Sequence, residues 1–150
     1  MARRRTEDER PEDPGDVSRN RGRPRDFLHY RLPGDWEVIA GRSAADNDEL
    51  SLRVARPDDW WFHVKGMSGS HVILRAEQDR EPDRGTLEAA AGIAAFHSKA
   101  RQGGIVPVSC TRARFVTKPR GASRGTVEIR KETTMKVRPV DPTDLAADPA

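Results

Sequence analysis

Hydrophobic and polar residues alternate through much of the middle of the chain, the period-two pattern of strands whose faces meet different surroundings. Trp36 to Ala40 fits it, and Leu50, Leu52 and Val54 alternate with Ser51 and Arg53 to predict an amphipathic strand. Trp61, His63 and Lys65 alternate with Phe62 and Val64. In a strand each set shares a face, so Phe62 and Val64 go to a core. Gly66 to Ser70 reads as a turn. His71 then opens a second strand with Val72, Ile73 and Leu74. Paired as a hairpin, the two strands bring His63 and His71 toward the same end of a sheet.

The period changes to that of a helix over Thr86 to Arg101, where Ala dominates and Leu87, Ala91 and Ala94 share a face. Thr86 is the expected cap, Glu88 favours the first turn, and Gly103 and Gly104 end the helix. Ala91, Gly92 and Ala95 let it sit close to a sheet, and His97 beside the apolar stripe reads as structural. Gly41 to Asp48 and Glu77 to Arg84 read as loops. After the helix, Ile105 to Thr111 and Arg114 to Val116 predict strands, Pro119 to Gly125 a basic loop, and Thr126 to Ile129 with Thr134 to Val137 a closing hairpin. Strands, one helix and more strands make the class α+β: a mixed or antiparallel sheet packed against one main Ala-rich helix.

Composition sets the borders of that fold. Residues 1 to 26 hold eight Arg and seven acids with only Met1, Ala2 and Val17 apolar, which predicts a disordered charged tail. Residues 141 to 150 predict a second, loose acidic tail, leaving one folded domain from 27 to 140. No apolar run of about 18 residues exists to span a membrane. A single Cys110 excludes an internal disulfide and fits a reducing cytoplasm. Charge is unevenly spread. From Phe27 to His97 there are eight basic and 12 acidic residues, net −4; from Ser98 to Arg138 there are 11 basic and two acidic, net +9. The second part attracts phosphates, and its Arg residues can also stack on bases.

Candidate chemistry centres on Asp58 to Leu74. The face of Trp61, His63 and Lys65 can stack on a base, donate to a phosphate, or be the polar side of a half-buried hairpin. A zinc site would need three or four suitable ligands, and the four His and one Cys form no close cluster. Ser70, His63 or His71, and Asp59 supply the letters of a catalytic triad without a nucleophile elbow around any Ser. No metal and no cofactor is expected.

The segments GRSAADNDEL, DWWFHVKGMSGSHVIL, the Ala-rich helix and VPVSCTRARFVTKPRGASRGTVEI, in that order, resemble the NFACT-R domain. This is the RNA-binding domain on the C-terminal side of NFACT proteins, which include the fibronectin-binding protein A family and the ribosome quality-control factors. The resemblance covers about Tyr30 to Val140. Gly41, Arg42, Asn47, Asp48, Trp61, His63, Gly69, Ser70 and His71 match it, as do Lys118 and Gly121. Ser43 stands where Asn is common, Ser68 where Pro is common, and Cys110 where an aromatic is common.

The resemblance implies a stand-alone, non-enzymatic RNA-binding protein of the cytoplasm. Its partner would be tRNA or ribosomal RNA, with the large ribosomal subunit in view and the oligomeric state open. Arg112, Lys118, Arg120 and Arg124 would position phosphates, and Arg42, Asp48 and Lys65 join the expected RNA-binding residues. Trp61 would stack, and Asn47, His63, Ser70 and His71 would hydrogen-bond to base or sugar. The alternatives are an RNA-acting enzyme with His63 and His71 as acid and base, and a ribosome-associated adaptor.

Overall fold

The computed structural model describes residues 27–146, so the expected charged tail at 1–26 and the last four residues lie outside the described residues. Among the described residues, β1 (Leu28–Leu32), β2 (Trp36–Ala40), β3 (Trp60–Val64), β4 (Val72–Leu74), β5 (Val106–Arg112) and β8 (Thr133–Val137) form one antiparallel sheet. Its strand order is β1-β2-β4-β3-β5-β8, and a two-stranded ribbon lies apart from it. The ribbon pairs β6 (Val116–Thr117) with β7 (Glu128–Ile129). The fold is α+β, as the element order predicts.

One face of the sheet carries Val38, Ala40, Phe62, Val64, Val72, Leu74 and Val108, packed on Ala90, Ala91, Ile93, Ala94 and Ala95 of helix α2 (Arg84–Phe96). Small side chains let the helix axis approach the strands closely, as the Ala-rich pattern implies. The opposite face carries Ile39, Trp61 and Ile73, covered by Leu50, Val116, Val127 and Ile129. The central strands are therefore buried on both sides, which explains why β4 is a continuous apolar run rather than an alternating one.

Several elements differ from expectation. Gly41 to Asp48 is not all loop, and Leu50 to Val54 is not a strand. Ser43 caps a helix, its Oγ accepting from Asp46 N at 3.1 Å, and α1 (Ala44–Glu49) runs into a π-helical turn at Leu50–Val54. Leu50 and Val54 are four apart, so they share a helix face as readily as a strand face. The helix α2 starts at Arg84, two residues earlier than expected, and Asp83 rather than Thr86 caps it, its Oδ1 accepting from Thr86 N at 2.8 Å. It also ends early, at Phe96, because the backbone of Ser98 bridges to Gly69 and His97 O accepts from Ser70 N. Arg114 belongs to a 3-10 turn, not a strand. The closing hairpin does not form: β7 pairs with β6, and β8 with β5. Inside the acidic tail, α3 (Pro142–Ala146) forms, and Leu145 leans on the core.

Candidate nucleic-acid interface

The expected face of Trp61 and His63 points into the second layer. Trp61, His63 and His71 are each 0% exposed. Antiparallel pairing of β3 and β4 brings the three rings together as the hairpin implies: the His63 and His71 centroids lie 5.2 Å apart, and Trp61 lies 5.1 Å from His71. Stacking of Trp61 on a base is thereby corrected, since the ring offers no surface to a ligand. Direct hydrogen bonds from His63 and His71 to RNA are corrected for the same reason.

A polar chain runs through this interior. Trp61 Nε1 donates to Ser51 Oγ at 2.8 Å, and Ser51 Oγ lies 2.7 Å from His71 Nδ1. Burial is the main cause that holds His71 well below its usual value of 6.5, with the charges of His63 and Lys118 adding to it. With Nδ1 unprotonated, the neutral His71 ring is an acceptor for the Ser51 hydroxyl, which links the three side chains. Asn47 is also buried and acts as a clamp: its Oδ1 accepts from His71 N at 3.0 Å, and its Nδ2 donates to Gly69 O at 3.3 Å. Gly41 is required beside it, because a Cβ there would stand 2.2 Å from Asn47 Oδ1.

Lys118 is likewise internal in its bonding. Its Nζ donates to Ser123 O at 2.5 Å and Thr126 O at 3.1 Å, and pairs with Asp48 Oδ2 at 3.1 Å. Asp48 Oδ1 accepts from Gly125 N, and the His71 ring bonds to the Gly125 backbone. Lys118, Asp48 and His71 thus latch the 119–125 loop to the core, and the loop holds Arg120 and Arg124 exposed to solvent. Lys118, expected to position a phosphate, instead positions with Asp48 the loop that bears two Arg. Lys65 is tied to Thr134 Oγ1 at 2.6 Å and to Glu132 at 3.6 Å.

The two ends of the sheet differ in charge. At one end, where β2 and β3 finish and β4 begins, a cleft of about 400 Å³ opens between the 41–42 loop, the 68–70 turn and the exit of α2. Arg42, Lys99 and Arg101 line it, and no acidic residue does. At the other end a cavity of about 670 Å³ is lined by Asp58, Asp59, Glu77, Asp79 and Glu81 with Arg56 and Arg112. Arg112 belongs to that acidic end, its guanidinium 3.6 Å from the Trp60 ring centroid and donating to Asp58 O at 2.8 Å. This corrects its grouping with the phosphate-binding residues.

Of the expected residues, Arg42 and Ser70 reach the basic cleft directly. Ser70 Oγ donates to Gly41 O at 2.7 Å, fixing one wall. The other wall is the exit of α2, where Arg101 lies 4.2 Å over the Phe96 ring and Tyr30 Oη is 2.8 Å from His97 Nε2. Phe96, His97, Ser98, Lys99 and Arg101 were absent from the expected site. The charge count contained Lys99 and Arg101, but a helix continued to Arg101 would have spread these side chains around its circumference. The early stop and the Gly69–Ser98 bridge gather them.

Among known proteins, residues 26–131 match the family described as the NFACT protein RNA binding domain. The Rqc2 homolog RqcH of Bacillus subtilis is 42% identical over 110 residues, which are 73% of this chain and 19% of that protein. The Rqc2 homolog RqcH of Streptococcus suis is 34% identical over 108 residues, again with 19% of that protein covered. The chain therefore spans about a fifth of the length of these curated relatives. A solved structure of the C-terminal of the fibronectin/fibrinogen-binding protein from Streptococcus suis superposes with a TM-score of 0.75 at 29% identity, over 83% of this chain and 50% of that one. Both the sequence match over most of the chain and the shared fold place the protein in the NFACT protein RNA binding domain family.

Proposed function

We propose that the chain is a non-enzymatic RNA-binding module of the cytoplasm, that its ligand is tRNA or ribosomal RNA, and that it serves translation or ribosome quality control at the large ribosomal subunit. The family description and the relatives' Rqc2 designation support the class of ligand and the setting. The observation that carries the reading is the segregation of charge: a basic cleft at one end of the sheet and an acidic cavity at the other. Such a dipolar surface orients a polyanion toward Arg42, Lys99 and Arg101 and away from the opposite end. Arg120 and Arg124 add two exposed cations on a loop latched to Asp48 of α1 through Gly125 N. Full burial of both His63 and His71 supports the non-enzymatic reading over the acid–base alternative.

The test is fluorescence anisotropy with labelled tRNA and ribosomal RNA fragments over a range of salt. Log affinity should fall linearly with log salt, by about 0.7 per phosphate contact for a single strand. Reversing charge at Lys99 and Arg101 should weaken binding and flatten the slope, while Arg56→Glu at the acidic end should change neither. A salt-independent affinity, or equal losses from both ends, overturns the reading.

A further inference from the structure

The basic cleft is more than a patch of positive charge. We infer that it is a site for one unstacked nucleotide unit, which rests on the RNA-binding reading above. Its volume of about 400 Å³ falls in the range of small-ligand sites, about 300–1,000 Å³, whereas contact to a duplex backbone requires no concavity. The lining supplies the parts a nucleotide needs. Arg42 and Lys99 both line the cleft and supply the cationic donors that a phosphate takes. Phe96 with Arg101 over its ring, 4.2 Å from the centroid, forms a flat cationic surface on which a base can lie. Ser70 Oγ, which already donates to Gly41 O, retains lone pairs for a ribose hydroxyl or a base N–H.

The walls are fixed before any ligand arrives. Asn47 Nδ2 holds Gly69 O, Ser70 N donates to His97 O at 3.1 Å, and Gly69 bridges to Ser98. The approach is so close that a Cβ on Gly69 would stand 3.0 Å from Ser98 Cβ. A cleft built this way loses little freedom on binding, so contacts to a single nucleotide register as affinity. The unit could come from the RNA itself, as an end or a splayed base, or be a free nucleotide. The two sources share a phosphate, a ribose and a stacking ring.

The experiment follows backbone amide shifts of the full chain during titration with AMP, adenosine and inorganic phosphate, beside anisotropy with a blunt RNA duplex and the same duplex carrying a short single-stranded end. AMP should move the amides of Arg42, Gly69 and Ser98, and bind about tenfold more tightly than either adenosine or phosphate. The single-stranded end should improve RNA affinity about tenfold over the blunt duplex. Arg101→Glu should abolish that gain, and Ser68→Tyr, which fills the cleft without changing charge, should abolish it too. Thermal melts accompany both variants, and Lys99→Glu, at an exposed position, replaces either one that fails to fold.

AMP without the single-stranded gain would assign the cleft to a free nucleotide rather than to RNA, and would overturn the RNA arm. Equal affinity for AMP and phosphate overturns the inference and leaves the RNA-binding reading standing, with the cleft a simple anion contact. If neither duplex binds while AMP still does, the RNA-binding reading falls and the cleft is a free-nucleotide site; if AMP fails as well, the inference falls too. Reversing Arg120 and Arg124 together separates the two: it should weaken blunt and tailed duplexes alike and leave AMP binding unchanged.

Discussion

Replacing Trp61 tests whether it supports the domain from inside or touches RNA. The side chain is 0% exposed, lies against His71 and His63, and donates to Ser51 Oγ. Trp61→Ala removes a buried ring and leaves a cavity, which costs about 3–5 kcal/mol. That is a large share of the roughly 5–15 kcal/mol that holds a domain folded. Trp61→Phe keeps most of the apolar volume and removes the N–H. Ser51 Oγ then loses a donor but keeps His71, so the cost falls toward the lower part of the roughly 1–3 kcal/mol of an unsatisfied buried group. At about 4 °C per kcal/mol for a domain of this size, Trp61→Phe should lower the melting temperature by about 4–8 °C. RNA affinity measured well below the melt should stay within about twofold of the parent protein. A stacking Trp would behave in the opposite way, with about 1–3 kcal/mol of affinity lost on Trp61→Ala and little change in the melt. Circular dichroism melts beside anisotropy curves decide between them. A Trp61→Ala protein that melts like the parent and binds RNA tenfold more weakly would refute the internal role.

The remaining predictions concern the latch, pH and the lone thiol. Lys118→Ala should release the 119–125 loop, so that hydrogen exchange at the amides of Gly125 and Thr126 accelerates by an order of magnitude or more; unchanged protection would mean that Lys118 does not hold the loop. His71 has a folded-state pKa well below 6.5, with burial the largest cause, so the unfolded chain binds the extra proton first as pH falls. Its contribution to stability is therefore complete above the unfolded value of about 6.5 and is lost below it, at up to about 1.4 kcal/mol per pH unit. His97 shifts in the same direction, through burial and Arg101. Urea unfolding at pH 7.5 and pH 5.5 should show the loss, and His71→Gln should reduce the difference; an identical pH dependence in that variant would contradict it. Burial pushes the Cys110 thiol up to about 11, so a thiol reagent at pH 8 should label the native protein far more slowly than the unfolded one. Equal rates would show that β5 opens readily.

The sequence by itself determined the strands that form the middle of the sheet, the Ala-rich helix, the basic character of the second half and the family. Each is a local or additive property. An apolar run such as Val72 to Leu74 has few alternatives to a buried strand, and six Ala favour a helix in any setting. Asn47 and His71 were also legible as special, although not what they do. Only the tertiary structure decided which surfaces stay open. The face of Trp61 and His63 is polar enough to look solvated, but the segment after Ser43 folds as a helix and, with the β6-β7 ribbon, covers it. Over five residues, the spacing of Leu50 and Val54 fits strand and helix equally, so the second layer was invisible to periodicity. The end of α2 was set by Gly69, nearly 30 residues away in sequence, and that contact gathers Lys99 and Arg101 beside Arg42. Charges can be counted along a chain, but a cleft depends on long-range pairing, in which one backbone bridge decides where three cations meet.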